Sequence, residues 1–354
     1  MHLFPRNYVI WMREKVLDHS SNVRPNAGRT WFIICIIKVM SKTTSFAVLS
    51  VDVHEDKIHP DQKSIQALKK WLKVSGTTLE VVYVLNCNDM GVGYDSATIA
   101  HQRLNQYVND LKLDTPAHTD VLTENSHSNE AKAKRVIELA NKLSAKMIIL
   151  TSHGKSRITS FVLGSFAEAM LSFSNLPLFF LPPKDSMLSS ELNTVLFATD
   201  LSRNSWESFN KFLEEFQDNP PKIILFHVIP SRPLVFELTE PRLNEIKEGE
   251  RWAEHGRARG FEIVFVAKEA DKNKSDMIIE TAMENVAGMI AITCSSHRVK
   301  TKLLGNVATK IFKNRHFPLW VCGPGTLTLQ KKINPYTETE VNKILTGGIS
   351  DFWE

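Results

Sequence analysis

Two α/β domains in tandem, each a parallel sheet covered by helices, are predicted by three observations. Short β-type runs alternate with amphipathic helical stretches from Ser45 onward, which is how a doubly wound sheet reads. The order then repeats: a strand leading into Asp52 returns as one leading into Asp200, 148 residues later, and Gly164 returns as Gly305, 141 residues later. Finally, 354 residues accommodate about two domains of roughly 150 residues, each able to bury its own core. The period excludes a solenoid, whose units run about 20 to 50 residues.

Residues 1–44 read as a poorly ordered extension. Their most apolar run, Trp31 to Val39, contains Lys38 and falls far short of the ~20 residues that a membrane-spanning helix needs. It also follows thirty polar, irregular residues, unlike a secretory signal, and Met40-Ser41-Lys42 would begin a domain naturally. A membrane-surface anchor is the lesser alternative.

The first domain, 45–183, opens with the strand Phe46 to Val53, then a helix at Ile65 to Leu72 with apolar residues at helical spacing, and a strand at Leu79 to Leu85. A helix from Ser96 to Leu111 and a short strand near Thr119 to Leu122 follow. Asn129 to Leu143 is the clearest helix, its predicted apolar face being Ala131, Val136, Leu139, Ala140 and Leu143. A strand at Met147 to Thr151, a helix at Ser165 to Phe173 and a strand at Leu178 to Leu181 complete the copy.

The second domain, 192–324, repeats this order. Strands are predicted at Thr194 to Thr199, Lys222 to Val228, Glu262 to Ala267, Ile290 to Thr293 and Leu319 to Cys322. Helices are predicted at Trp206 to Phe216, Leu243 to Arg259, Asp276 to Asn285 and Asn306 to Lys313. Prolines, serines and alternating charge mark 184–191 as a linker. Residues 325–354 form a polar tail without a recurring apolar face.

A formal charge of +4 spread over both halves gives no reason to expect nucleic acid, whose binders concentrate positive charge on one face. The basic run Arg251 to Arg259 reads as a solvated helix face with Trp252 buried. Cys35, Cys87, Cys294 and Cys322 lie far apart, without metal-site spacing, which fits a reducing, cytoplasmic compartment. The histidines His54, His59, His118, His127 and His153 show no paired helical spacing of metal ligands. Neither a G-x-S-x-G elbow nor a G-x4-G-K-[ST] loop is present.

Ligands of open parallel sheets bind at the carboxyl ends of strands, where strand order reverses. Asp52 stands at such an end, suited to a ribose hydroxyl, an adenine edge or a metal accompanying phosphates; its plain alternative is a loop or helix cap. Recurrence as Asp200 favours function. The second feature is Thr151, Gly154 and the pair Gly164-Ser165 opening a helix. Glycines admit a phosphate close to the backbone, and the N–H groups of a helix start attract anions. Ser165-Phe-Ala-Glu168 also matches the capping box, in which the serine serves its own helix. Taken by itself, that segment favours the cap.

The strand ending in Val51-Asp52, the strand ending in His227-Val228 and the spacing Thr151-x2-Gly154-x9-Gly164-Ser165 together resemble the universal stress protein family. So do Phe161 to Met170 and Ala198 to Ser202. The resemblance covers both copies. It implies five parallel strands per domain in the order 3-2-1-4-5, helices on both faces, and two domains paired through their final strands like a family dimer fused into one chain. It further implies ATP or a related adenine nucleotide, with Mg2+, as ligand. Carried over by position, Asp52 and the Val84 backbone would hold the adenosine, and Thr151, Gly154, Gly164 and Ser165 the ribose and phosphates.

Thr151 departs from the family's first glycine. In copy two Thr293, Ser296, Gly305 and Asn306 keep only the last glycine, one residue closer. The second site, Asp200, Val228, Gly305 and Asn306, is therefore expected to be degenerate. The leading expectation is a nucleotide-dependent sensor or regulator of a stress response whose first domain binds the nucleotide. The rival is an interaction scaffold of the same fold that binds none. A slow ATPase is a third reading, for which no general base is evident. Neither a nucleic-acid nor a membrane partner is expected, and association of tandem chains into a homo-oligomer stays open.

Overall fold

The structure, a computed structural model, describes residues 45–51, 62–86, 95–151, 164–182, 193–230, 240–294, 306–314 and 317–327. The extension 1–44, the linker 184–191 and the tail beyond 327 lie outside the described residues. The first copy runs β1 (Ser45–Ser50), α1 (Gln62–Ser75), β2 (Thr77–Asn86), α2 (Asp95–Leu111), β3 (Ala117–Glu124), α3 (Asn129–Lys142), β4 (Met147–Thr151), α4 (Ser165–Phe173) and β5 (Leu178–Leu181). The second runs β6 (Thr194–Thr199), α5 (Arg203–Glu215), β7 (Lys222–Ile229), α6 (Glu240–Ala258), β8 (Ile263–Glu269), α7 (Lys274–Glu284), β9 (Met289–Thr293), α8 (Asn306–Asn314) and β10 (Leu319–Cys322).

Each copy has the order 3-2-1-4-5, as the family resemblance implies. The two sheets are continuous, however, forming one ten-stranded sheet ordered β3-β2-β1-β4-β5-β10-β9-β6-β7-β8. Pairing is parallel within each copy and antiparallel only between β5 and β10, where Leu319 faces Phe180 and Val321 faces Leu178. This seam relates the copies by an approximate two-fold axis, and it is the pairing of final strands that the family resemblance implies.

The central strands are buried on both faces, which explains their near-continuous apolar runs. Successive side chains alternate between faces, so Val48, Ile148, Phe180 and Val321 join one core, and Leu49, Ile149, Phe179 and Trp320 join the other. Helices α3, α4, α7 and α8 cover the first core, and α1, α2, α5 and α6 the second. Both cores run unbroken through both copies. At the seam Phe180 meets Phe312 edge-on at 4.8 Å on one face, and Trp71 lies 6.1 Å from Phe216 on the other.

Two expectations are corrected. The buried face of α3 is Ala133, Val136, Ile137 and Ala140, with Ala131, Leu139 and Leu143 only partly buried. The 133-136-137-140 spacing is the narrower stripe that a helix lays flat on a sheet, and Ile137 supplies the bulk that Ala131 lacks. The start of the supposed tail also belongs to the fold. Thr326 and Leu327 are buried, and Thr326 Oγ1 lies 3.2 Å from the Ser174 and Leu176 carbonyl oxygens, to which it donates. Trp252 is buried and Arg251 exposed, as expected. No helix among the described residues is long and apolar enough to cross a membrane.

Candidate functional site

In each copy the strand order reverses beside the first strand, between β1 and β4 and between β6 and β9. The crevices therefore open at the carboxyl ends of these strands. In copy one, Val51 N donates to Val82 O at 3.0 Å, the last bond between these neighbouring strands among the described residues. Backbone groups two residues apart on a strand point the same way, so the Val84 carbonyl points to the same side as that of Val82, past Val51. Thr151 ends β4 and is buried. Asp52 and Gly154 lie outside the described residues.

The capping box is not formed. Gly164, not Ser165, is the N-cap of α4, with φ −61° and ψ 150°, and no side chain caps that end. Ser165 is the first helical residue, one position too far along for its hydroxyl to reach the N–H three residues beyond the cap. Instead Ser165 Oγ accepts a 2.5 Å bond from Asn129 Nδ2, which ties the start of α4 to the start of α3. Among the described residues no side chain caps the first-turn N–H groups of α4. A Cβ built on Gly164 meets nothing within 4 Å.

In copy two Asp200 follows β6 at a tight turn. Thr199 Oγ1 accepts from Leu201 N at 2.9 Å, and Asp200 Oδ1 accepts from Ser202 N at 3.0 Å and from Ser205 Oγ at 2.5 Å. Leu201 takes the left-handed conformation, φ 58°, at a cost of about 1 kcal/mol for a residue with a side chain. Partial burial raises the Asp200 carboxyl, but the bonds from Ser202 and Ser205 outweigh it and hold it below the usual carboxylate range. Ser202 is the N-cap of α5 and accepts from Ser205 N at 3.3 Å. Ser202→Ala is expected to cost about 1 kcal/mol, read as a lowered urea midpoint; an unchanged midpoint would deny the cap any weight.

A cavity of about 280 Å3 sits at this end of copy two, against the ends of β6, β7 and β9 and the first turns of α7 and α8. Asp200 and Val228 line it; Asn306 begins α8; Gly305 lies outside the described residues. His227 also lines it, fixed by its Nδ1, 3.0 Å from the Thr199 carbonyl, while Nε2 lies 3.4 Å from Glu245 Oε2. Sequence reasoning missed Ser205 and Lys274, which also line it. The repeat itself held the signal for Lys274, which opens α7 as Asn129 opens α3, each directly after the N-cap. Among the described residues no group of three or more His, Cys, Asp or Glu is placed to hold a metal ion.

The comparisons agree with this architecture. The family model described as the universal stress protein family matches residues 56–182 and 191–323. A universal stress protein of Archaeoglobus fulgidus superposes with a TM-score of 0.57 at 18% identity, covering 79% of this chain and 98% of that one. A functionally unknown protein of Pseudomonas aeruginosa superposes with a TM-score of 0.51 at 14% identity, covering 84% and 98%. In sequence, the chain is 24% identical over 166 residues to an uncharacterized protein of Schizosaccharomyces pombe. That match covers 43% of this chain and spans about a quarter of the relative, 26% of its length.

Proposed function

This chain belongs to the universal stress protein family, and we propose that its amino-terminal copy binds ATP or a related adenine nucleotide, with Mg2+, and acts as a nucleotide-dependent regulator of a stress response. The observation that carries this reading is the start of α4, where Gly164 leaves open space and, among the described residues, no side chain caps the first-turn N–H groups. Such a helix start attracts a phosphate through its unpaired donors and its positive dipole end. The fold does not require glycine there: the backbone is ordinary and a side chain would meet no neighbour. A ligand that approaches the main chain does require it. Asp52 and the Val84 carbonyl would take the adenosine, Thr151 and Gly154 the ribose side, and Ser165 a phosphate oxygen, exchanging its bond from Asn129 for one to the ligand. Nucleotide bound in this way favours one arrangement of the chain between Thr151 and Gly164, and that difference in affinity is the signal passed to a partner.

Equilibrium binding of a labelled ATP analogue to the whole chain is expected to show one site. Gly164→Val should weaken it by at least about tenfold, the scale of one lost charge-assisted bond, while lowering stability by no more than about 1 kcal/mol, the scale of a changed N-cap. Absence of binding at millimolar nucleotide refutes the proposal. It would favour a scaffold, from which freshly purified protein releases no nucleotide detectable by mass spectrometry.

A further inference from the structure

We infer that the segment Ser350 to Glu354 of this chain docks on the outer face of α5 and α6, its two acidic and two aromatic side chains meeting an arginine-flanked aromatic corner there. This does not rest on nucleotide binding in either copy.

The corner joins one turn of each helix. Trp206 of α5 is only half-buried, and its ring lies 4.9 Å from those of Trp252 and His255 of α6. Trp252 is sunk in the second core, so Trp206 is the indole of this stack that still meets solvent. Asn210 steadies His255, its Oδ1 accepting from Nε2 at 2.8 Å. Arg251, exposed, and Arg259, half-buried just beyond the last residue of α6, stand four residues to either side of His255, a spacing that sets all three along one side. Glu254 lies about 100° round the helix from them.

The charge of this corner is not balanced. Arg251 shares the Glu248 carboxylate with the Trp252 indole, and Arg259 has no ion pair among the described residues. His255 registers the excess: burial, then Arg259 and Arg251, hold it below the usual histidine range. The fold does not call for such a corner, since α2, the counterpart of α6, contains no tryptophan. It is also separate from the cavity of copy two. Phe226, Ile278 and Ile292 of that cavity belong to the first core, whereas Trp206 packs on the second, across the sheet.

Two cations beside an open indole suit an acidic, aromatic occupant, and the chain carries one. Asp351 and Glu354 flank Phe352-Trp353, and no basic residue follows Lys343. The carboxylates can take charge-assisted bonds from the arginines, and an aromatic ring can pack against Trp206. The 22 residues 328–349 join this segment to Leu327, which is buried. Extended, they span about 70 Å, enough to pass round a helix-sheet-helix sandwich about 30 Å thick. A tether of this kind supplies an effective concentration near the millimolar range, so a contact too weak to hold a separate peptide suffices.

Phe352→p-benzoylphenylalanine, introduced into the whole chain and irradiated, tests the contact. The cross-link is expected within one chain, in peptides covering 203–215 or 250–259. Asp351→Lys combined with Glu354→Lys should lower its yield at least about fivefold, the scale of two exposed ion pairs, and changes no residue of a described element. Arg251→Glu combined with Arg259→Glu should do the same, and joining the two pairs of substitutions should restore most of the yield, which a mere folding defect would not. If the arginine variant fails to fold, the lysine pair still decides. Cross-links elsewhere, between chains only, or absent overturn the inference, as does an undiminished yield from the lysine pair. The protein is irradiated without nucleotide, so the nucleotide reading of copy one is scored separately, by ATP binding.

Discussion

Gly323→Ala should destabilise the protein by about 1–3 kcal/mol, the scale of an overpacked core, and lower its melting temperature by several degrees. Gly323 follows β10, and its backbone lies outside the left-handed region, so no conformational freedom is at stake. The cost comes from proximity. A Cβ there would stand 2.3 Å from the Leu171 carbonyl oxygen and 3.2 Å from its carbon. Both are main-chain atoms of α4 and cannot swing aside as a side-chain tip can. Two residues on, a Cβ at Gly325 would meet the Ser174 carbonyl at 2.5 Å, and Thr326 fastens the segment to the same turn. The end of copy two is thus laid directly on the last turn of a copy-one helix. Gly164→Ala is the matched control: it enters open space, and its effect should stay within about 0.5 kcal/mol. Equal melting temperatures for the two variants would mean that the copies do not press together as described.

The second large effect concerns pH. Glu215, in the last turn of α5, is buried, and its Oε1 has no hydrogen-bond partner. Burial pushes its carboxyl up to about 8, against the pull of Lys211 and Lys146, with Glu214 adding to the rise. Lys146 belongs to copy one and also reaches Asp218 Oδ2 at 3.3 Å across the seam. The folded protein therefore binds a proton more tightly at Glu215 than the unfolded chain does. Its stabilising contribution is complete below the unfolded value near 4.5 and is lost as pH rises through about 8. The loss approaches about 1.4 kcal/mol per pH unit inside that window. Glu215→Gln, always neutral, should match the parent near pH 5 and melt at a clearly higher temperature near pH 8. Parallel pH profiles for the two proteins would rule out a buried, protonated Glu215.

Much of the fold was legible because strands and helices carry different periods. The predicted bounds of α4, Ser165 to Phe173, and of β5, Leu178 to Leu181, agree with the structure, since Pro177 and Gly164 punctuate them. Strand order came from the family resemblance; no periodicity encodes it. What escaped was contact information. Glu168 suggested a capping box, but which residue starts a helix depends on where the preceding chain is held, and Gly164 takes the cap. Nothing local marks Glu215 as buried, because the Glu214-Glu215 pair looks like a solvated helix end until copy one covers it. Gly323 reads as the end of a domain and Gly325 as the start of a tail because the surface they touch lies about 150 residues earlier. At the site, Asp200 and Val228 were found through the repeat, whereas Lys274 was missed because a lysine opening a helix looks like ordinary surface.

The antiparallel meeting of β5 and β10 also changes what mutation can do. When two identical chains meet about a two-fold axis, every substitution is written into both halves at once, and whatever suits one pocket is imposed on its mirror image. Here the mirror images are separate stretches of one polypeptide. Asn129 and Lys274, or Ser165 and Asn306, can drift apart without disturbing the partnership, and dilution cannot dissolve a union whose members share a backbone. The fused arrangement therefore leaves each pocket at liberty to acquire its own specialisation.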